Sequence, residues 1–358
     1  MTDMSRRALV GMGLALPFLG KLGAVQAAPS DHDLVQINFN ESPWGPSASA
    51  RQAMVEGIAQ CGRYPYKAQY RLIDLFAAQH GLEPDQVQVF CGSKLALQHA
   101  VMAFTQGGSL VIAEPSYEAP VEAARSLGTQ VHAVALDKHH GHDIDAMLAA
   151  DRAPGMIYLC NPNNPTGTLT PRRDIERLLA NKPAGSVVVV DEAYIHFSDA
   201  PSCVDLVREH PELLVLQTFS KLYGMAGARL GLAVAQASLL QRLEVYDGEN
   251  VAAAPTLLAG LASLADRQLV ATRKAHNTQL RQATISWLGK RGWHCTESQA
   301  NCFMIDLRQS AQPIVERLGK EGVLVGRVWP SWPNWMRVSV GNEADMQRFR
   351  EAFAKVVT

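Results

Sequence analysis

The chain has no apolar run near the ~18 residues that a membrane-spanning helix needs. Its N-terminal apolar stretch, Ala8 to Gly20, is 13 residues long. It has no excess of charge of either sign: Lys+Arg is 33, Asp+Glu is 34, and the net charge is −1. Proteins that bind nucleic acid by neutralising phosphates are as a rule basic, so that class is disfavoured. Cysteine is scarce, 6 in 358 residues with no CxxC pair, which excludes a disulfide scaffold and a CxxC metal or redox motif. Charged residues make up only 19% against 47% apolar, far from the composition of a disordered chain. At about 150 residues per domain the length suggests two domains.

The first 28 residues read as an export signal. Arg6 and Arg7 are twin arginines, a short apolar stretch follows, and Ala24-Val25-Gln26-Ala27 offers the small residues a signal peptidase accepts. The expected location is therefore the periplasm or outside the cell, by the twin-arginine route, or the cytoplasm if the signal is unused. That route carries folded proteins, which suits a protein loaded with a cofactor before export. Loss of residues 1–27 removes Arg6, Arg7, Lys21 and Asp3, leaving the chain more acidic.

Strand-like and helix-like segments alternate through the body. Val87–Cys91, Leu110–Ala113, Met156–Cys160, Val187–Val190, Leu214–Phe219 and Gly231–Ala235 read as strands. Leu95–Phe104, Val121–Leu127 and Pro171–Ala180 read as helices. Strands apolar on both faces and spaced by helices predict an α/β fold with a mostly parallel sheet covered on both sides. Beyond about residue 240 the pattern changes. Leu257 to Leu288 is largely helical, and residues 301–307, 323–325 and 336–340 predict a small second sheet before a last helix, Asp345–Val357. The domains expected are a signal (1–28), an N-terminal arm (29–62), a large domain (63–245) and a small α+β domain (246–358). Cys295 and Cys302 could pair across a hairpin, but buried thiols fit their apolar surroundings better.

In parallel sheets ligands bind past the carboxyl ends of strands, so the residues there carry the functional reading. Gly92-Ser93-Lys94 opens a helix and could present backbone N–H groups to a phosphate, although a structural cap looks the same. Tyr117 follows the second strand and could lie against a flat ring. Asn161-Pro162-Asn163-Asn164-Pro165-Thr166-Gly167 is a stiff turn rich in amides. Asp191 ends four valines, where a carboxylate needs a cationic partner. Lys221 follows the fifth strand; a desolvated lysine has a lowered pKa and suits Schiff-base chemistry. Ser220 and Arg229 add a hydroxyl and a fixed cation for a phosphate. A phosphate, an aldehyde, a flat ring and a ring nitrogen needing a carboxylate together describe pyridoxal 5′-phosphate.

Asn40-Glu41-Ser42-Pro43-Trp44-Gly45-Pro46-Ser47, Arg63-Tyr64-Pro65, the 161–167 turn, Asp191-Glu192-Ala193-Tyr194 and Ser220-Lys221 through Gly227-Ala228-Arg229 resemble, in family order, the class I/II aminotransferases of fold type I, and within them the histidinol-phosphate aminotransferases. The resemblance spans nearly all of residues 35–356. It implies a three-layer large domain with a mostly parallel central sheet, a smaller α+β C-terminal domain, and ping-pong transfer of an amino group between an L-amino acid (or a histidinol-phosphate-like amine) and a 2-oxo acid. Lys221 would be the Schiff-base lysine and proton carrier, and Asp191 would pair with the pyridine nitrogen. Tyr194 and Asn164 would bond the cofactor's phenolic oxygen. Tyr117 would stack on the ring, while Gly92, Ser93, Lys94, Ser220 and Arg229 would hold the phosphate. Tyr64 would reach that phosphate from a neighbouring subunit, implying a homodimer with shared sites. Arg337 would clamp the substrate carboxylate, with Asn40 and Arg327 also on the substrate side. No metal is implied.

The chain also departs from the pattern. Arg327 is displaced by one position from the family's second substrate-side arginine. The segment that carries a substrate-contacting aromatic in histidinol-phosphate enzymes would fall in the signal. Trp329, Trp332 and Trp335 read equally well as small-domain packing or as pocket lining, with Trp44 at the entrance. A decarboxylase or lyase of the same fold would share almost every cofactor contact, so that alternative stays open.

Overall fold

The computed structural model describes residues 34–248 and 250–357. The export-signal reading lies outside the described residues. Twelve strands form three sheets, beginning with β1 (Val35–Ile37), β2 (Val87–Phe90), β3 (Leu110–Glu114), β4 (Val131–Ala135), β5 (Met156–Cys160) and β6 (Val187–Asp191). The rest are β7 (Leu213–Thr218), β8 (Gly231–Val234), β9 (His294–Cys295), β10 (Cys302–Asp306), β11 (Val323–Val325) and β12 (Trp335–Ser339).

The seven-stranded sheet runs β2-β8-β7-β6-β5-β3-β4. Its neighbours are parallel except around β8, which is antiparallel to both β2 and β7. Every residue of β5, β6 and β7 is buried. That explains their unbroken apolar sequences, with β-branched valines filling the pleated surface. β4, which the sequence pattern missed, is the edge strand, and no residue of it is fully buried.

The second sheet differs from the expectation. β10 pairs antiparallel with β12 and β9, but β11 leaves this group and pairs in parallel with β1, Val35 opposite Val323 and Ile37 opposite Val325. The reason is burial: Val35, Ile37, Val323 and Val325 all enter the smaller apolar cluster with Phe303, Met336 and Phe349. The larger cluster surrounds the main sheet and also takes Leu257, Ala259 and Leu269.

The long helical stretch after residue 250 is two helices, Ala254–Ala265 and Leu269–Gly289. They are separated at Asp266, whose Oδ1 accepts from the Gln268 and Leu269 N–H groups at 3.1 and 3.2 Å. Cys295 and Cys302 are both free thiols, as are the other four cysteines. No helix among the described residues is long and apolar enough to cross a membrane.

Candidate active site

β5, β6 and β7 end side by side and open a cavity of about 510 Å3. Of the residues given cofactor or substrate contacts by the family resemblance, all line it except Gly92 and Tyr64.

Asp191 forms the floor and is 3% exposed. Its Oδ2 accepts from the Tyr158 hydroxyl at 2.9 Å and its Oδ1 from the Ala193 N–H at 3.1 Å. Burial raises its pKa to about 6, against the pull of those two donors and of Lys221. Among the described residues it has no ion-pair partner. Across the cavity Lys221 Nζ donates to the Phe39 carbonyl at 3.0 Å and lies 5.8 Å from the centre of the Tyr194 ring. Burial, then the nearby Arg337 cation, lowers its pKa to about 8. Burial raises the Tyr117 hydroxyl to about 12 and pushes that of Tyr194 well above its ordinary value.

The phosphate-type end is built on glycine. Gly92 caps helix Ser93–Phe104 with φ 93°, and a β-carbon there would run into the Arg229 guanidinium. A β-carbon on Gly231 would strike the backbone of Ser93. Both absences let a guanidinium and a helix N-terminus converge, a ready anion site. Arg229, held at φ 60°, donates to Ser220 Oγ at 3.4 Å and to the Ala226 carbonyl at 2.9 Å.

On the far wall Arg337 of β12 is 7% exposed. It donates from Nη1 to Asn164 Oδ1 at 2.8 Å and from Nη2 to the Asn38 carbonyl, leaving Nε buried without a partner. Asn40 knits this wall together. Its Nδ2 is 3.1 Å from the Tyr194 hydroxyl, 3.5 Å from Asn164 Oδ1 and 3.3 Å from Cys302 Sγ. Its backbone N–H donates to Ser339 Oγ at 2.9 Å, while that hydroxyl donates to Asn40 Oδ1 at 2.8 Å. With its amide committed in this way, Asn40 braces Tyr194 and Asn164.

Arg327 stands at the mouth, ion-paired with Glu118 and 4.5 Å from the Trp329 ring. Trp329 is 2% exposed, and the Arg337 guanidinium also lies over its ring, at 5.2 Å. Trp332 and Trp335 instead pack on His140, at 5.0 and 5.1 Å. Trp44 packs on His276 at 6.0 Å and does not line the cavity. Lys94 is an exposed part of the cavity wall. Tyr64 is 81% exposed and away from its own chain's cavity.

Sequence reasoning missed Tyr158, the contact of Trp329 with two arginines, and Glu118. Tyr158 had a usable signal: a lone hydroxyl in a strand buried on both faces must find a partner, and the neighbouring strand ends in Asp191.

The chain is 34% identical over 333 residues to histidinol-phosphate aminotransferase 2 of Pseudomonas fluorescens, covering 90% of this chain and 89% of that one. It is 37% identical over 301 residues to an aromatic amino acid aminotransferase of Rhodococcus erythropolis, covering 81% and 82%. Its fold matches the crystal structure of histidinol-phosphate aminotransferase from Sinorhizobium meliloti in complex with pyridoxal-5′-phosphate, with a TM-score of 0.82, 24% identity and 90% of each chain covered. The family model for aminotransferase class I and II matches residues 33–353, and the chain belongs to that family.

Proposed function

We propose that this aminotransferase moves the amino group of an L-amino acid to a 2-oxo acid, with Arg337 holding the carboxylate of each in turn. One observation carries the reading: a guanidinium 7% exposed faces the cavity with no carboxylate paired to it among the described residues. A desolvated cation of that kind is costly unless an anion completes it.

The cofactor is pyridoxal 5′-phosphate, and the residues present fit it. Asp191 is a buried carboxylate with no ion pair among the described residues, and Gly92, Ser93, Ser220 and Arg229 leave an anion cradle that a β-carbon on Gly92 would disturb by displacing Arg229. When bound, the cofactor supplies an aldehyde for the amine and a ring that draws electrons from the carbon losing its proton. Asp191 would hold a proton on the ring nitrogen, and Tyr194 and Asn164 would hold the phenolic oxygen. Tyr117 would cover the ring. Lys221, with a pKa of about 8, is partly neutral near physiological pH. Its Nζ can therefore take the proton from the substrate carbon and return it elsewhere.

The shared-site homodimer also fits. Among the described residues, six of the eight large apolar side chains left exposed are Phe39, Val55, Ile58, Tyr64, Tyr66 and Tyr70. Such clustering in one short stretch of chain suits burial against a second copy, with Tyr64 entering the partner's cradle. The side-chain preference follows one of two relatives, histidinol-phosphate-like or aromatic. Residues 1–28 serve as an export signal in this reading, tested by fractionating cells and by replacing Arg6 and Arg7 with lysine.

The deciding experiment supplies a panel of amino acids to the purified holoenzyme. Appearance of the matching 2-oxo acid, with a cofactor spectrum that a second 2-oxo acid restores, supports transamination, and Lys221→Ala abolishes it. Release of CO2 without 2-oxo acid replaces this reading with a decarboxylase.

A further inference from the structure

A second cavity, of about 530 Å3, lies beside helix Leu269–Gly289, and Arg281, Thr278, Gln282, Ser286 and Gln299 line it. Arg281 is 5% exposed. Its one hydrogen bond runs from Nη1 to the Ala300 carbonyl at 2.8 Å. It has no ion-pair partner among the described residues, and its other donors are not sealed from the cavity.

We propose that this cavity binds an oxyanion, a carboxylate or a phosphate or sulfate group on a small molecule, at the Arg281 guanidinium. A guanidinium has five N–H donors in a planar fork that matches such groups. Here the side chain is 5% exposed and one of its five donors is used within the protein, so an arriving oxyanion gains charge-assisted bonds while displacing little water. Hydroxyl and amide side chains around it accommodate a polar ligand. Two carboxylates share the rim. Asp199 is held by Lys274 at 2.6 Å, and Glu297 is exposed. They limit affinity without occupying Arg281. Burial lowers the Arg281 pKa, against the pull of Cys302 and Asp199. The cavity is separate from the site around Lys221, and the inference goes beyond the transaminase reading.

The test is isothermal titration of the holoenzyme at constant ionic strength with inorganic phosphate, acetate and glycerol phosphate. Saturation with cofactor keeps the cradle at Ser93 and Arg229 occupied, and because Arg337 can also take an anion, binding is assigned to the second cavity only where Thr278→Glu weakens it. Arg281→Gln removes the cation. Arg281 also braces Ala300, next to Asn301, whose Nδ2 donates to the Asn40 carbonyl at 3.0 Å, so a second variant is needed. Thr278→Glu keeps Arg281 and sets a carboxylate one turn away on the same helix face. The expected result is saturable binding to the wild type with a dissociation constant on the order of 1 mM, weakened at least about tenfold in both variants. Glycerol phosphate binding more tightly than inorganic phosphate identifies an organic monoester as the natural ligand, and the reverse identifies the free ion. No saturable binding to the wild type, or equal binding to Thr278→Glu, overturns the proposal. If Arg281→Gln does not fold, Thr278→Glu decides alone.

Discussion

Arg337 on β12 donates to Asn164 Oδ1 at 2.8 Å, tying the strand that carries the proposed substrate-binding cation to the turn that follows β5. The contact orients both groups. Asn164 Oδ1 is engaged, so its Nδ2 is the end free to donate, and the guanidinium cannot swing away from the cavity. Replacing Arg337 with Gln should lower kcat/KM for amino acids by about 100-fold, the cost of removing one partner of a buried charge-assisted pair. Amines lacking the carboxylate should lose far less. Half-reaction rates with an amino acid and with its decarboxylated amine measure the difference, and an equal loss for both would remove Arg337 from carboxylate binding.

Asp191 sets a pH limit on cofactor binding. Its pKa is raised from 3.8 to about 6 in the folded protein without cofactor, so below about pH 6 the carboxyl is neutral and cannot pair with a ring cation. Affinity for pyridoxal phosphate should therefore fall as pH drops through 6. The same shift acts oppositely on the apoprotein: between pH 3.8 and 6 the folded state binds more protons than the unfolded one, so this group's contribution to stability declines as pH rises. The Tyr158 hydroxyl favours the charged carboxylate. Tyr158→Phe should move the loss of affinity to higher pH, read by equilibrium dialysis across pH 5 to 8. An unmoved curve would mean that Tyr158 only fills the core.

What the sequence made legible divides along physical lines. β5, β6 and β7 could be read because strands buried on both faces are apolar throughout, and Asp191 and Lys221 stood out as charges directly after them. β4 escaped because an edge strand needs no continuous apolar pattern, and His132 interrupts it. β1 escaped because three residues carry almost no periodic signal, and its partner β11 lies far along the chain. Asn40 drew notice only through a motif. Its bracing role depends on a φ of 55° and on Ser339 and Asn301, which only the folded chain brings near. Trp329 was ambiguous because an indole that packs under two guanidinium groups has the same sequence signature as one that fills a core.

Acid should weaken the fold through His142. It is 6% exposed. Its Nδ1 lies 2.7 Å from Thr170 Oγ1, while Nε2 is buried without a partner. Burial lowers its pKa from 6.5 to about 4. Between those values the unfolded chain binds the extra proton and the folded one does not, so this group's contribution to stability falls as pH drops from 6.5 toward 4, by up to about 3 kcal/mol. His142→Gln should flatten that part of the stability curve, measured by urea denaturation at pH 7 and pH 5. Equal slopes for wild type and His142→Gln in this window would show that His142 protonates without penalty.

Gly92 offers the sharpest test of the phosphate cradle. At φ 93° an alanine is strained in any surroundings, and here its β-carbon would also displace the Arg229 guanidinium. Gly92→Ala should weaken binding of pyridoxal phosphate by roughly 10- to 100-fold, the scale of losing one charge-assisted contact. Binding of pyridoxal, which lacks the phosphate, should change little. Comparing the two ligands separates a damaged cradle from general misfolding, because misfolding would weaken both alike. Arg229→Gln should reproduce the selective loss without backbone strain. If Gly92→Ala retained full affinity for the phosphorylated form, the phosphate would have to sit elsewhere than between Ser93 and Arg229.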